Sequence, residues 1–187
     1  MRRCRAPMRR GGDALRATAG PRRVSSRMKG ALGSALSIRD AVPGDLPALA
    51  ALALRSKGHW GYAPARLEAM RTELSWDEDD LARMCFRIGT TATALVGFSA
   101  IEPLGAGRGE LEALFVGPEH IGTGAGRVLI EDARDQARRL GCRTLVIQSD
   151  PHAEGFYLAA GARRVGERPS ASIPGRCLPL LELDLDP

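Results

Sequence analysis

The chain has 187 residues, 44% hydrophobic and 26% charged, which suits one globular domain with a sizeable core. No apolar run approaches the roughly 18 residues of a membrane span, so no membrane partner is expected. The formal charge of +5 would favour an acidic partner, but ten cations crowd residues 1–30 beside one acid, leaving residues 31–187 with 17 cations against 21 acids. That mildly acidic remainder argues against nucleic acid as a partner.

Residues 1–34 are rich in Arg, Gly, Ala and Ser and lack hydrophobic periodicity. They read as a disordered leader or as an over-long start with Met28 as initiator. An organelle transit peptide has a similar composition, whereas the apolar stretch of a secretory signal is missing. An Arg-rich arm directing the domain to nucleic acid is a further reading, opposed by the acidic charge of the remainder. Residues 35–187 are expected to form one domain. Cys4, Cys85, Cys142 and Cys177 are scattered without CxxC spacing, which predicts a reducing, cytoplasmic setting and no metal site.

From Ala35 to Ala41 apolar and polar residues alternate as in a half-buried strand. A helix is predicted from Pro43 to Gly58, with Asp45 as N-cap and Leu46, Leu49, Leu52 and Leu54 on its apolar face. A second helix opens at Pro64 and runs to about Leu74, followed by an acidic, solvated connection over Trp76–Asp80. Strands over 83–89 and 92–103 form a hairpin, and a third strand over Glu110–Val116 ends at Gly117-Pro118. A helix follows from about Ala125 to Leu140, with Val128, Leu129, Ala133, Ala137 and Leu140 on one face and Gly141 closing it. Arg143–Ser149 reads as a buried strand, Ala153–Gly161 as a short helix, and 162–168 with 177–185 as two final strands. The predicted class is mixed α/β: a central, mostly antiparallel twisted sheet of about six to seven strands with helices on both faces.

The stretch Ile121-Gly122-Thr123-Gly124-Ala125-Gly126 lies between a strand and a helix. A helix start offers unpaired N–H groups and the positive end of the macrodipole, and glycines let a pyrophosphate approach the backbone. The spacing excludes a dinucleotide fingerprint, since residues 127 and 129 are Arg and Leu, and no G-K-[ST] follows for a P-loop. A phosphate cradle and a plain turn both fit this loop taken alone.

Together with Asp150, Ala153, Tyr157 and Gly161, the loop resembles the GNAT superfamily of acetyl-CoA-dependent acetyltransferases. The family's (Gln/Arg)-x-x-Gly-x-(Gly/Ala) loop falls on residues 121–126, with Ile121 replacing Gln or Arg and Arg127 available to supply charge. Its Asn-x-x-Ala-x-x-x-Tyr-x-x-x-Gly run falls on residues 150–161, with Asp150 in place of Asn. The resemblance implies a GNAT-like fold and acetyl-CoA as co-substrate, held by Gly122, Thr123, Gly124, Ala125, Gly126, Arg127, Asp150 and Ala153. It also implies a thioester carbonyl polarised by backbone N–H groups near Phe115 and Val116, and Tyr157 as the acid that protonates the leaving thiolate.

Tyr157 alternatively packs its helix onto the sheet as a core residue. Glu110 and Glu112, two residues apart on a strand, project from one face. Glu112 is the candidate base, and a solvated strand face is the other reading. His59, Trp60 and Tyr62 lie where the family builds its acceptor pocket, and two of the chain's four Trp and Tyr residues fall there. They form either an aromatic wall or a packing cluster that pins the loop. Arg176 is a candidate for holding a substrate carboxylate. The expected function is N-acetylation of a primary amine on a small molecule or peptide. The alternative is a catalytically silent acyl-CoA-binding regulatory module, and a homodimer is carried as a candidate assembly.

Overall fold

The computed structural model describes residues 36–185, so the Arg-rich leader over 1–34 lies outside the described residues. Seven strands make one sheet: β1 (Ser37–Asp40), β2 (Cys85–Thr90), β3 (Leu95–Gly105), β4 (Arg108–Val116), β5 (Thr144–Gln148), β6 (Arg163–Pro169) and β7 (Cys177–Asp184). Their spatial order is β1-β2-β3-β4-β5-β7-β6, and every pair is antiparallel except β4 with β5. The expected strand number and mixed sheet both hold. Among the described residues no helix is long and apolar enough to cross a membrane.

Helices cover both faces. On one face, α1 (Leu46–His59), α2 (Pro64–Ala69) and α3 (Glu78–Arg83) accompany a core in which Leu49, Leu52 and Met70 meet Phe86, Ile88 and Phe98. On the other, α4 (Ala125–Arg139) and α5 (Glu154–Ala159) bury Ile130, Ala133, Ala137 and Tyr157 against Ile101, Leu145, Ile147 and Leu181. Each fully buried Leu or Ile contributes about 1.5–3 kcal/mol.

Several boundaries differ from expectation for identifiable reasons. The acidic stretch is not a connection: α3 starts there, because Asp77 accepts from the Asp80 amide and Asp80 from the Asp77 amide. Asp45 makes no side-chain cap on α1; its carboxylate instead accepts from the Val42 amide and Arg39, closing a 3-10 turn over Pro43–Asp45. The second helix stops at Ala69 and continues as turns to Leu74. On α4 the buried stripe runs through Ala125, Leu129, Ile130, Ala133 and Ala137, while Leu140 is 43% exposed and Val128 only half-buried. Ile130, Ala133 and Ala137 cluster with Ile101 and Leu111, so the stripe is turned toward β3 and β4, and Leu140, the C-cap residue, lies outside it.

Two features of the sheet create the site. The β3–β4 register pairs Ile101 with Leu111 and Ala100 with Ala113, leaving Glu112 as an extra, bulged residue. The bulge reverses the alternation, so Leu111 joins the α4 side of the core and Ala113 the α1 side. Glu112 has no partner across β3, yet it stays close enough to Glu110 and Glu102 for their charges to repel. The parallel β4–β5 ladder also ends at the Glu110–Val146 pair, while β5 continues along β7 to Gln148. Beyond Glu110 the two strands part. Gly97 on β3 permits this end of the sheet to close against α4, since a Cβ there would lie 2.5 Å from the Phe115 carbonyl oxygen and 2.8 Å from Leu129.

Candidate active site

A cleft of about 410 Å³ opens where β4 and β5 part. Of the residues expected at the site, Trp60, Glu112, Phe115, Val116, Ile121, Gly122, Gly124, Gly126, Arg127, Asp150, Ala153 and Tyr157 all line it. Ala125 is buried in the first turn of α4, and the Thr123 hydroxyl donates to the His120 carbonyl at 2.7 Å, closing the loop. His59, Tyr62 and Arg176 stand behind this lining rather than in it. His59 meets the edge of Trp60, and Tyr62 and Arg176 contact Asp150 from the far side.

The glycine loop carries the donors that its sequence promised. Gly122 and Gly124 have φ of +79° and +94°, a left-handed backbone that side chains resist. The first helical hydrogen bond runs from Val128 N–H to the Gly124 carbonyl. Among the described residues the amides of Gly122, Gly124, Ala125, Gly126 and Arg127 have no hydrogen-bond partner. No acid sits in the first turn of this fifteen-residue helix. Five unpaired amides at the positive end of a helix fit an anion.

Backbone donors on β4 follow from its register. Gly117 N–H bonds to the Val96 carbonyl at 2.8 Å, and alternation along an antiparallel pair then turns the Phe115 amide toward Phe98. The amides of Leu114 and Val116 face the opening. Motif reading misses Leu114; the strand period alone could have found it. Phe115 lines the cleft with its ring, above which Lys57 Nζ lies at 5.9 Å.

Tyr157 is 6% exposed, and among the described residues its hydroxyl has no hydrogen-bond partner. Burial first, and the Asp150 charge second, push its pKa well above the ordinary phenol value, so it stays protonated at neutral pH. Partial desolvation, followed by repulsion from Glu110 and Glu102, raises the Glu112 carboxyl. Glu110 is engaged by Arg168 outside the cleft.

Asp150 centres a polar cluster that the motif alone does not reveal. Its carboxylate accepts from Lys57 Nζ at 2.8 Å, from the Tyr62 hydroxyl at 2.8 Å and from the His152 amide at 3.1 Å. Burial pushes this carboxyl up, but the Lys57 charge and these hydrogen bonds outweigh it and hold the pKa below the usual range. Trp60 stacks flat on His152 with ring centroids 5.3 Å apart. Sequence reasoning misses Lys57, although it is the single lysine of residues 31–187. It also misses His120, which lines the cleft with its Nε2 buried and unpartnered.

A model of the acetyltransferase (GNAT) family matches residues 49–162. The chain is 32% identical over 147 residues to an aminoglycoside N(6')-acetyltransferase type 1 of Stenotrophomonas maltophilia, covering 72% of this chain and 88% of that protein. The crystal structure of PaiA N-acetyltransferase from Thermoplasma acidophilum in complex with coenzyme A superposes with a TM-score of 0.66 at 20% identity, over 80% of this chain and 98% of that one. The structure of yncA from Salmonella typhimurium with its cofactor acetyl-CoA gives a TM-score of 0.59 at 20% identity, over 81% and 95% of the two chains.

Proposed function

The chain belongs to the GNAT acetyltransferase family, and from that premise we propose that it transfers an acetyl group from acetyl-CoA to a primary amine of a small molecule or peptide. One observation carries the reading. A single cleft joins five unpaired amides at the start of α4, two outward amides on β4 and a protonated Tyr157. The likeness to proteins solved with coenzyme A or acetyl-CoA supports the co-substrate, and the aminoglycoside-modifying relative supports a small-molecule amine.

In this reading the pyrophosphate rests on the amides of residues 122–127. The Leu114 and Val116 amides face the thioester arm, where a donor to the carbonyl oxygen stabilises charge developing there. The amine nitrogen bonds to the acyl carbon, the carbon–sulfur bond breaks, and the Tyr157 hydroxyl protonates the departing thiolate. Glu112 takes the ammonium proton directly or through water. The proton shed by the nitrogen on acylation returns to the phenolate through solvent.

The direct test is release of free thiol from acetyl-CoA across a panel of primary amines, an aminoglycoside included. Amine-dependent release is expected. Coenzyme A binding with no release from any amine would instead mark a silent binding module.

Glu112 permits a test with two opposite readouts. Its folded-state pKa is raised, so the folded chain holds its proton longer than the unfolded one as pH rises. Stability therefore falls through the window above the ordinary value of about 4.3, and the cost persists at neutral pH. Glu112→Gln is expected to raise the melting temperature slightly at pH 7 and to lower kcat/KM by at least about tenfold. A variant that is more stable and equally active would remove Glu112 from the reaction.

A further inference from the structure

Beside the main cleft lies a second, small pocket of about 10 Å³, roughly the room one water molecule needs. Lys57 lines both spaces and so forms the partition between them. The small pocket is also lined by Arg176 and by Ser170 and Ser172 from the β6–β7 connection. Among its described lining residues Glu73 is the one acid, and it stands exposed at the rim.

The charges here do not cancel. Asp150 is already engaged by three donors: Lys57, the His152 amide, and the one Tyr62 hydroxyl proton shared between its two oxygens. Arg176, only 17% exposed, donates one hydrogen bond, to the Tyr62 hydroxyl at 2.5 Å, and lies over that ring at 5.2 Å. Its nearest carboxylate oxygen, on Asp150, is 3.9 Å away. Arg66 adds a third cation, 5.7 Å from the centre of the Tyr62 ring. A guanidinium fork is built to grip two carboxylate oxygens, yet this one has no carboxylate at hydrogen-bonding distance among the described residues.

We propose that the acceptor is an amino acid: Arg176, with Lys57 and the two serine hydroxyls beside it, receives the acceptor's carboxylate while its amine enters the main cleft across Lys57. The inference rests on the acetyl-transfer reading above and narrows its substrate. A pocket of this size admits one carboxylate oxygen and no side chain, the other oxygen being left toward Lys57 at the partition, which keeps carboxylate and amine only a few bonds apart. The side chain of the acceptor then faces Trp60 and its stacked partner His152. A polyamine would bring a second positive charge against Lys57 and Arg176 and be disfavoured.

The experiment compares each amino acid with the amine it becomes on decarboxylation, phenylalanine with phenethylamine for example, with a polyamine as a further arm. Without the charge-assisted grip on a carboxylate, kcat/KM for the decarboxylated member is expected to be about ten- to a hundredfold lower. In Arg176→Gln that ratio should fall toward one, and Arg176→Lys should restore part of it. The thermal shift given by coenzyme A, measured on each variant, reports a folded cofactor site. Thiol release that is equal or faster with decarboxylated amines overturns the inference and leaves acetyl transfer standing. Arg176→Gln that lowers the melting temperature but keeps the ratio would make Arg176 a strut, which also overturns it. No release with any amine brings down the acetyl-transfer reading and this inference together.

Discussion

Tyr157→Phe is expected to lower kcat on the order of a hundredfold, within the range general acid catalysis contributes, while acetyl-CoA binding changes little. The ring is part of the core on the α4 side and meets Phe156 edge-on at 5.1 Å, so phenylalanine preserves the packing. The hydroxyl has no partner among the described residues, so its removal breaks no internal hydrogen bond. A fold left intact with turnover lost is therefore the expected pattern, and stopped-flow or steady-state thiol release separates kcat from KM. Burial and the Asp150 charge place ionisation of this phenol above the ordinary value of about 10. A tyrosine-dependent loss of activity belongs at more alkaline pH than a free phenol would give, and the variant should lack it. A Tyr157→Phe enzyme with parental kcat would make the residue a core tyrosine and leave water as the acid.

Gly124→Val is expected to abolish the thermal stabilisation that coenzyme A confers. A ligand that binds only the native state adds about 2.7 kcal/mol at a hundredfold excess over its Kd, or several degrees for a domain of this size at about 2–4 °C per kcal/mol. Gly124 is the N-cap of α4 with φ of +94°, and a Cβ built there meets no atom within 4 Å. The penalty is therefore conformational and not steric. An L-residue in this region costs roughly 1–2 kcal/mol, and a β-branched one is the least tolerant. Relief requires the loop to turn, which takes its amides off the anion. Gly124→Asn provides a graded comparison, because asparagine visits the left-handed region routinely, and it should keep part of the shift. Equal shifts in the valine variant and the parent would place the cofactor elsewhere in the molecule.

Much of the site is legible in the sequence because it depends on residues close together in the chain. The glycines at 122, 124 and 126 sit within one turn of each other, and Asp150, Ala153 and Tyr157 follow one another from the end of β5 into α5. Local spacing is enough to place such groups. The bulge at Glu112 is not legible, since an extra residue on one strand exists only relative to its partner. The same holds for the Leu114 amide, whose direction is set by the pairing of Gly117 with Val96.

Asp150 shows the division most clearly. Its place in the Asn-x-x-Ala run predicts a position at the site, and it does line the cleft. Nothing within a few residues of it announces Lys57, Tyr62 or Arg176, which reach it from 93, 88 and 26 positions away. Those contacts depend on α1, its following loop and the β6–β7 connection converging on the end of β5.

Apolar periodicity along the chain was enough to set the order of strands and the long helices, and the glycines at 122 and 124 were enough to mark a loop with a backbone that side chains resist. Spacing also placed the tyrosine one helical turn from Ala153. Where β4 and β5 separate, which amides face the gap, and how Lys57 and Arg176 come together around the one Asp150 carboxylate all awaited the packed fold. Separation, exposure and charge balance are properties of pairs distant in the chain, and they acquire values only when the sheet has closed and the helices have packed on both its faces.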